Sequence, residues 1–427
     1  MTVSATRAPA ARPSLWRNRD FLIVWSGQIV STLGTRMSGT AFPLLVLAIT
    51  GSPSDAGVVG AAGTLPYLIG HLPAGPLVDR WDRRTVMVVS EATAGLALAA
   101  IPVAMALGRL TLLQLALTAF VQGLCSVFFG LAEYAALPRL VPAEILPAAL
   151  AQNEAKGRGA SLAGPPLGGL LFGAGRMLPF LADAISSLVS AVALLFVRTD
   201  LRDRRSEPRE SLGREALAGL RWVWGQRLVR TALLLIAASN IVFQALGLVI
   251  VVLARRHGAS PAGIGLMLGI YGGGGLLGAL CAGRLHPRFS PGTVVVGANW
   301  VWTALLPLFA LTSQPVLLGV IGAAAAFIGP LWNVVVISSI TVLVPDELLG
   351  RVGSAGMTLS WGVMPLASLG GGYLLAASGP ERAVLVLTAV MAAAAIAATL
   401  SPALRQAPRP GAGGDGNGRA DDGRADG

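Results

Sequence analysis

Apolar runs of about 20 residues or more recur from residue 21 to residue 401, and most of the joints between them are short and polar. Twelve can be marked, at about 21–49, 56–74, 85–107, 112–137, 151–174, 178–197, 228–253, 262–282, 293–311, 316–343, 352–377 and 383–401. At 1.5 Å per residue each is long enough to cross a ~30 Å hydrocarbon layer as a helix. Inside that layer backbone groups must bond within their own segment, which leaves the helix as the form for each run. The expected fold is an all-α integral membrane protein with twelve transmembrane helices. The joint Gly75-Pro76-Leu77-Val78-Asp79-Arg80-Trp81-Asp82-Arg83-Arg84, between the second and third runs, is too short for a domain and too charged for lipid. It reads as a tight polar turn at one membrane face.

Composition agrees. Apolar residues make up 54 % of the 427 and charged residues 12 %, with a mean hydropathy of +0.69; soluble domains carry about twice that charged share. The net charge of +11 is dispersed over short joints and not gathered on one face, so no nucleic-acid partner is expected. Cys125 and Cys281 fall inside apolar runs, and His71, His257 and His286 lie near run ends without clustering. No metal, cofactor or disulfide is therefore expected. The chain has no HExxH, GxSxG or P-loop pattern, so neither an enzyme nor an ATP-driven pump is expected.

The basic residues give the orientation. With both termini in the cytoplasm, 24 of the 32 Lys and Arg lie on cytoplasmic segments. Outer joints hold Arg109, Arg176, Arg255, Arg256 and Arg382, while Arg36, Lys156 and Arg158 lie within or at the edge of runs. Short retained loops carry this excess. The chain reads as a multi-pass protein of a bacterial-type plasma (inner) membrane, with the bilayer as its setting. The longest joint divides the runs six and six. The expected organisation is a cytoplasmic N-terminal tail (1–20), a six-helix half (21–197), a cytoplasmic central loop (198–227), a second half (228–402) and a disordered cytoplasmic tail (403–427).

The halves repeat. At an offset of 208, Ser52-Pro53 meets Ser260-Pro261, and Gly57, Gly70 and Gly75 meet Gly265, Gly278 and Gly283. At an offset of 203, Leu140-Val141-Pro142 meets Leu343-Val344-Pro345, and Gly168-Gly169 meets Gly371-Gly372. Asp79 has no counterpart, since Pro287 stands at its place.

The loop resembles the signature Gly-x-x-x-Asp-Arg-x-Gly-Arg-Arg of major facilitator superfamily transporters, through Gly75, Asp79, Arg80, Arg83 and Arg84. Asp82 replaces the usual glycine, as in branches similar to bacterial macrolide-efflux and siderophore-exporter-type permeases. The stretch Gly164-Pro165-Pro166-Leu167-Gly168-Gly169 resembles the antiporter motif Gly-Pro-x-x-Gly-Gly, with Ala160 at the motif's upstream glycine. The resemblance implies two pseudo-symmetric six-helix halves with substrate bound between them near mid-membrane. It implies a secondary transporter for a small molecule, with export as the expected direction, coupled to protons and acting as a monomer. Drug-, antibiotic- or siderophore-like amphipathic compounds are the expected cargo. Nutrient import by the same fold, or a non-transporting membrane sensor or scaffold, are the alternatives.

Site residues follow from that resemblance and from the cost of ionisable groups at membrane depth. Gly75, Asp79, Arg80, Arg83 and Arg84 are expected to form a latch, with Asp79 facing the N-terminus of the eleventh helix and Arg351 its direct partner. For the arginines, topology anchoring is the plainer alternative. Gly164, Pro165, Gly168 and Gly169 are expected to bend the fifth helix and let neighbours approach closely. Glu133 ranks first and Asp183 second as proton carriers, while Glu91 is expected to pair with the nearby basic loop. Cavity candidates are Gln28, Ser31 and Arg36 in the first run, Gln122 in the fourth beside Glu133, Asn240 and Gln244 in the seventh, and Trp332 and Asn333 in the tenth. Thr35 stands where some exporters of this type have an acid.

Overall fold

The computed structural model describes residues 14–202, 221–285, 290–344 and 349–402. Among the described residues the regular structure is helical throughout. In the first half α1 is Arg19–Ile49, α2 Pro53–Ile69, α3 His71–Arg80, α4 Arg83–Ala106, α5 Leu112–Leu140, α6 Leu146–Ala174 and α7 Leu178–Leu195. In the second, α8 is Arg227–Arg256, α9 Pro261–Leu285, α10 Pro291–Leu305, α11 Leu308–Leu311, α12 Pro315–Leu343, α13 Leu349–Trp361, α14 Met364–Ser378 and α15 Pro380–Leu400. Each expected run falls on one helix or on two in series. Residues 203–220 of the central loop and the tail from 403 lie outside the described residues.

Ten segments among the described residues are long and apolar enough to cross a membrane by themselves. Two expected runs fall below that measure for visible reasons. The second is divided near Gly70, and the fifth carries Glu154, Lys156 and Arg158 ahead of its Gly/Pro stretch. The eleventh run also departs from a single helix, ending α13 at Trp361 and restarting α14 at Met364. Pro365 cannot donate to the Trp361 carbonyl four residues back, and at the same break the Ser360 carbonyl accepts from Asn240 Nδ2 of α8 at 2.6 Å.

The turns alternate between two ends. The basic end holds the Trp81–Asp82 turn and the outer ends of α1 and α15; the far end holds the turns at 50–52, 107–111, 175–177, 257–260 and 312–314. The repeated Ser-Pro pairs have a local purpose there. Ser52 Oγ accepts from Asp55 N at 3.2 Å and Ser260 Oγ from Gly263 N at 3.1 Å, with Pro53 and Pro261 opening their helices. A capping hydroxyl and a first-turn proline start a helix where the orphan N–H groups need partners.

The halves meet along two pairs of helices, α2 with α14 and α6 with α9. A Cβ placed on Gly57 would lie 2.8 Å from Gly372 Cα, and one on Gly169 would lie 2.9 Å from Gly265 Cα. Gly57 and Gly265 are repeat partners, and so are Gly169 and Gly372. The two contacts are therefore one contact used twice. Both lie toward the far end. One apolar cluster there joins Phe42, Val46, Phe172 and Phe180 of the first half to Val249, Ile250, Leu306 and Leu375 of the second. At the basic end the described residues form separate clusters, one around Phe21, Met87, Phe129 and Leu194 and another around Val229, Leu233 and Val352. Among the described residues the bundle is joined at the far end and its apolar clusters are separate at the basic end.

Packing this close can be trapped chemically. A Cβ on Gly60 would lie 3.4 Å from Ser368 Cβ, near the separation a disulfide needs. With Cys125 and Cys281 replaced by alanine, a Gly60→Cys/Ser368→Cys protein should cross-link under mild oxidation, read as one joined peptide by mass spectrometry. Failure to form it would mean that α2 and α14 do not rest in this register.

Candidate functional site

Helix α1 distributes its polar side chains by face. Gly27, Gln28, Ser31, Gly34 and Ser38 recur at three- and four-residue intervals and so share one side. Gly27 and Gly34 let α7 approach: a Cβ on Gly34 would lie 2.7 Å from Asp183 Oδ1. Arg36, two residues before Ser38, projects about 200° away, on the opposite side.

The first side holds two buried polar knots. In one, Gln28 Nε2 donates to Glu91 Oε1 at 2.6 Å and to Ser190 Oγ at 3.1 Å, while Ser31 Oγ lies 3.0 and 2.9 Å from the two Glu91 oxygens. This corrects the expected pairing of Glu91 with the basic loop. The carboxylate turns inward because α1 and α7 supply donors there. Gln28 and Ser31 are thus committed to Glu91 and buried. In the other knot Asp183 Oδ2 accepts from Ser38 Oγ at 2.5 Å and from Gln122 Nε2 at 2.9 Å. Asp183 is 0 % exposed, and its Oδ1 has no hydrogen-bond partner. Neither carboxylate has a salt-bridge partner among the described residues.

Glu133 differs. Lys156 Nζ of α6 lies 2.7 Å from its Oε1, with the two side chains 7 % and 17 % exposed for Lys156 and Glu133. Arg158 and Glu154, one turn apart on α6, pair at 2.8 Å. Arg36 is exposed and has no salt-bridge partner among the described residues. Its Cβ side rests on Gly164 of α6. Tyr67 of α2 lies within electrostatic reach of it and shares a hydrogen bond with Ser126 of α5. Helices α2 and α6 are the main first-half members of the contact with the second half, so Arg36 lies on the side of the first half that meets the second. From the second half, Trp361 of α13 stacks on Tyr67 with ring centroids 5.6 Å apart.

The other cavity candidates divide. Gln244 Nε2 donates to Ser368 Oγ at 2.9 Å, which with Asn240 ties α8 to the interrupted α13–α14 pair. Trp332 is buried against Trp302, at 5.7 Å, as a core residue. Asn333 is exposed. The Gly-Pro stretch is two-sided: Gly164 and Gly168 seat α1, with a Cβ on Gly168 reaching 2.8 Å from Met37 Cα, while Gly169 seats α9. In the basic loop, Asp82 caps α4 by accepting from Arg84 N at 3.1 Å, and Arg84 Nε donates to the Leu194 carbonyl at the end of α7 at 3.0 Å. Arg83 is buried and Arg80 exposed. The side chains of Asp79 and Arg351 lie outside the described residues. Among the described residues no three His, Cys, Asp or Glu come together to hold a metal.

Sequence reasoning did not reach Ser38, Tyr67 or Trp361. Ser38 had a signal, its seven-residue spacing from Ser31 on the same face. Tyr67 and Trp361 belong to helices far apart in sequence and had none.

Two six-helix halves related by a parallel repeat, with Arg36 and the Tyr67–Trp361 pair on the sides that meet, have the form of a membrane transporter. The profile of the Major Facilitator Superfamily matches residues 24–352, and the chain belongs to that superfamily. It is 27 % identical over 398 residues to the multidrug efflux pump Tap of Mycolicibacterium fortuitum, covering 90 % of this chain and 96 % of that protein. It is 24 % identical over 333 residues to the enterobactin exporter EntS of Escherichia coli O1:K1, covering 78 % and 79 %. Among solved structures it resembles a bacterial homologue of the iron transporter ferroportin, with a TM-score of 0.67 at 17 % identity over 91 % of this chain and 99 % of that one.

Breaking a buried pair strands the charge left behind, so the Glu133–Lys156 contact predicts strong coupling. Lys156→Met alone should lower thermal stability in detergent more than the Glu133→Gln/Lys156→Met double substitution does. The cycle should give a coupling energy of ~1–3 kcal/mol. Additive effects would mean that the two groups do not touch.

Proposed function

We propose that the protein is a proton-coupled exporter of small amphipathic compounds, drug-like or siderophore-like, in a bacterial plasma membrane. Its basic end faces the cytoplasm and it works as a monomer. The bias of Lys and Arg to one set of joints supports that orientation. The names of the relatives, one a multidrug efflux pump and one a siderophore exporter, support the cargo and direction. Joined far ends and divided basic ends then describe the state in which cargo loads from inside.

One observation carries the coupling: Asp183 is fully enclosed and held by neutral donors alone. Such a carboxyl can take or give up a proton without leaving a cation unpaired. Neutralising Glu133 would strand the buried Lys156 side chain without its partner, which favours a structural part for that pair. Asp183 therefore ranks first here and Glu133 second, the reverse of the order read from sequence. Asp183 joins α1, α5 and α7, so a change in its charge acts on the helix that carries Arg36 on its other face. In the basic loop Asp82 and Arg84 shape the turn, and Asp79 is left for the latch against the start of α13 and Arg351.

Two measurements test this. In proteoliposomes with an imposed proton gradient, Asp183→Asn should reduce gradient-driven export at least ~10-fold while downhill exchange persists, because asparagine mimics the protonated carrier. Full proton-dependent export by Asp183→Asn would remove Asp183 from the coupling. Asp79→Asn should reduce export with membrane insertion unchanged; normal export would remove the latch.

A further inference from the structure

Arg36 poses a charge-balance problem that no salt bridge among the described residues solves. A guanidinium stays protonated in proteins, and a cation at mid-membrane depth is costly without water or an anion. The acids near its level are already engaged or turned away. Glu91 and Asp183 lie against the opposite face of α1, Glu133 is held by Lys156 and Glu154 by Arg158. The face that Arg36 does occupy offers Gly164, which has no side chain, and Tyr67, whose hydroxyl is shared with Ser126. While the basic end is divided, water can solvate the guanidinium. A transport cycle must at some point close that end and expel much of the water, and the anion that then balances Arg36 has to arrive with the cargo.

The opposite wall says what the rest of that cargo is like. Trp361 is 44 % exposed although one face stacks on Tyr67, and Met357, one turn away on α13, is 60 % exposed. Trp361 and Met357 share one face of α13, the face that reaches Tyr67, so an exposed indole and a flexible thioether lie together as a polarizable apolar surface. We infer that the cargo combines an anionic group, held by Arg36, with an aromatic body that lies on the Trp361–Met357 wall of the second half. This rests on the exporter reading and narrows it from amphipathic compounds in general to anionic aromatic ones. A sulfonate or carboxylate suits the planar fork of arginine, which can donate two parallel hydrogen bonds.

The test uses two probes that differ by one group: 1-anilinonaphthalene-8-sulfonate and its uncharged parent N-phenyl-1-naphthylamine. The full chain is placed in nanodiscs of phosphatidylcholine, with empty discs subtracted, and equilibrium binding is measured for both. Wild type should hold the sulfonate at least ~10-fold tighter than the parent, the scale of one charge-assisted contact. Arg36→Gln should abolish that preference, Arg36→Lys should keep part of it, and Trp361→Ala should weaken both probes while leaving their ratio unchanged. Wild type that holds neither probe, or shows no preference for the sulfonate, overturns the inference; so does Arg36→Gln with the preference intact. Transport of the same probes in proteoliposomes separates the two readings. Proton-driven movement without charge preference would leave the exporter standing and remove the anion site. A preference lost in Arg36→Gln without any transport would do the reverse.

Discussion

Backbone approaching backbone is the interaction on which this architecture depends. Between helices in lipid the hydrophobic effect offers little, since the tails are as apolar as leucine, and association relies on close packing and on hydrogen bonds. Gly57 against Gly372 and Gly169 against Gly265 supply the packing across the two halves, with Cα atoms so near that even a methyl group would not fit. Any larger residue at these points would separate α2 from α14 or α6 from α9 and open the end of the bundle that the shared apolar cluster now closes. The rest of the arrangement follows: the gap can exist at the other end because this end holds the halves together.

Polar groups inside the first half are sorted by the geometry of one helix. The α1 face with Gln28, Ser31 and Ser38 supplies donors to two carboxylates that lack salt-bridge partners among the described residues, and Gly27 and Gly34 bring α7 near enough for those bonds to form. The other face carries Arg36 toward the second half. Glu91 and Asp183 are thus kept apart by the thickness of a helix from Arg36, which has no salt-bridge partner among the described residues, although two residues separate Arg36 from Ser38 in the chain. A rotation of α1 of a few tens of degrees would affect both sides at once.

What could be read in advance was what local pattern decides. The helical class, the short joints, the repeat and the Gly-Pro stretch all rest on composition and spacing. Helix interruptions were missed at Gly70 and beyond Trp361 because an apolar run looks the same whether or not its backbone bends. Partner choice was harder still. Glu91 lies only a turn or two past Arg84 in sequence, which made an ion pair the natural reading; its actual donors come from α1, about sixty residues earlier. The sequence ranks Glu133 ahead of Asp183 by the run it sits on, and only the neighbour from another helix, Lys156 for one and Gln122 for the other, distinguishes their surroundings.

The repeat-related glycine contacts also bear on how such a molecule can move. Side chains that interlock must leave their rotamer wells before two surfaces can shift, and each step adds a barrier. Two strips of bare main chain, set on either side of a pseudo-twofold axis, present almost nothing that has to unlock. They behave as a plain bearing: the halves can roll over them with little friction while staying in register. The equilibrium between the two tilts is then left to the groups away from the bearing, where a proton or a bound anion of modest energy is enough to tip it.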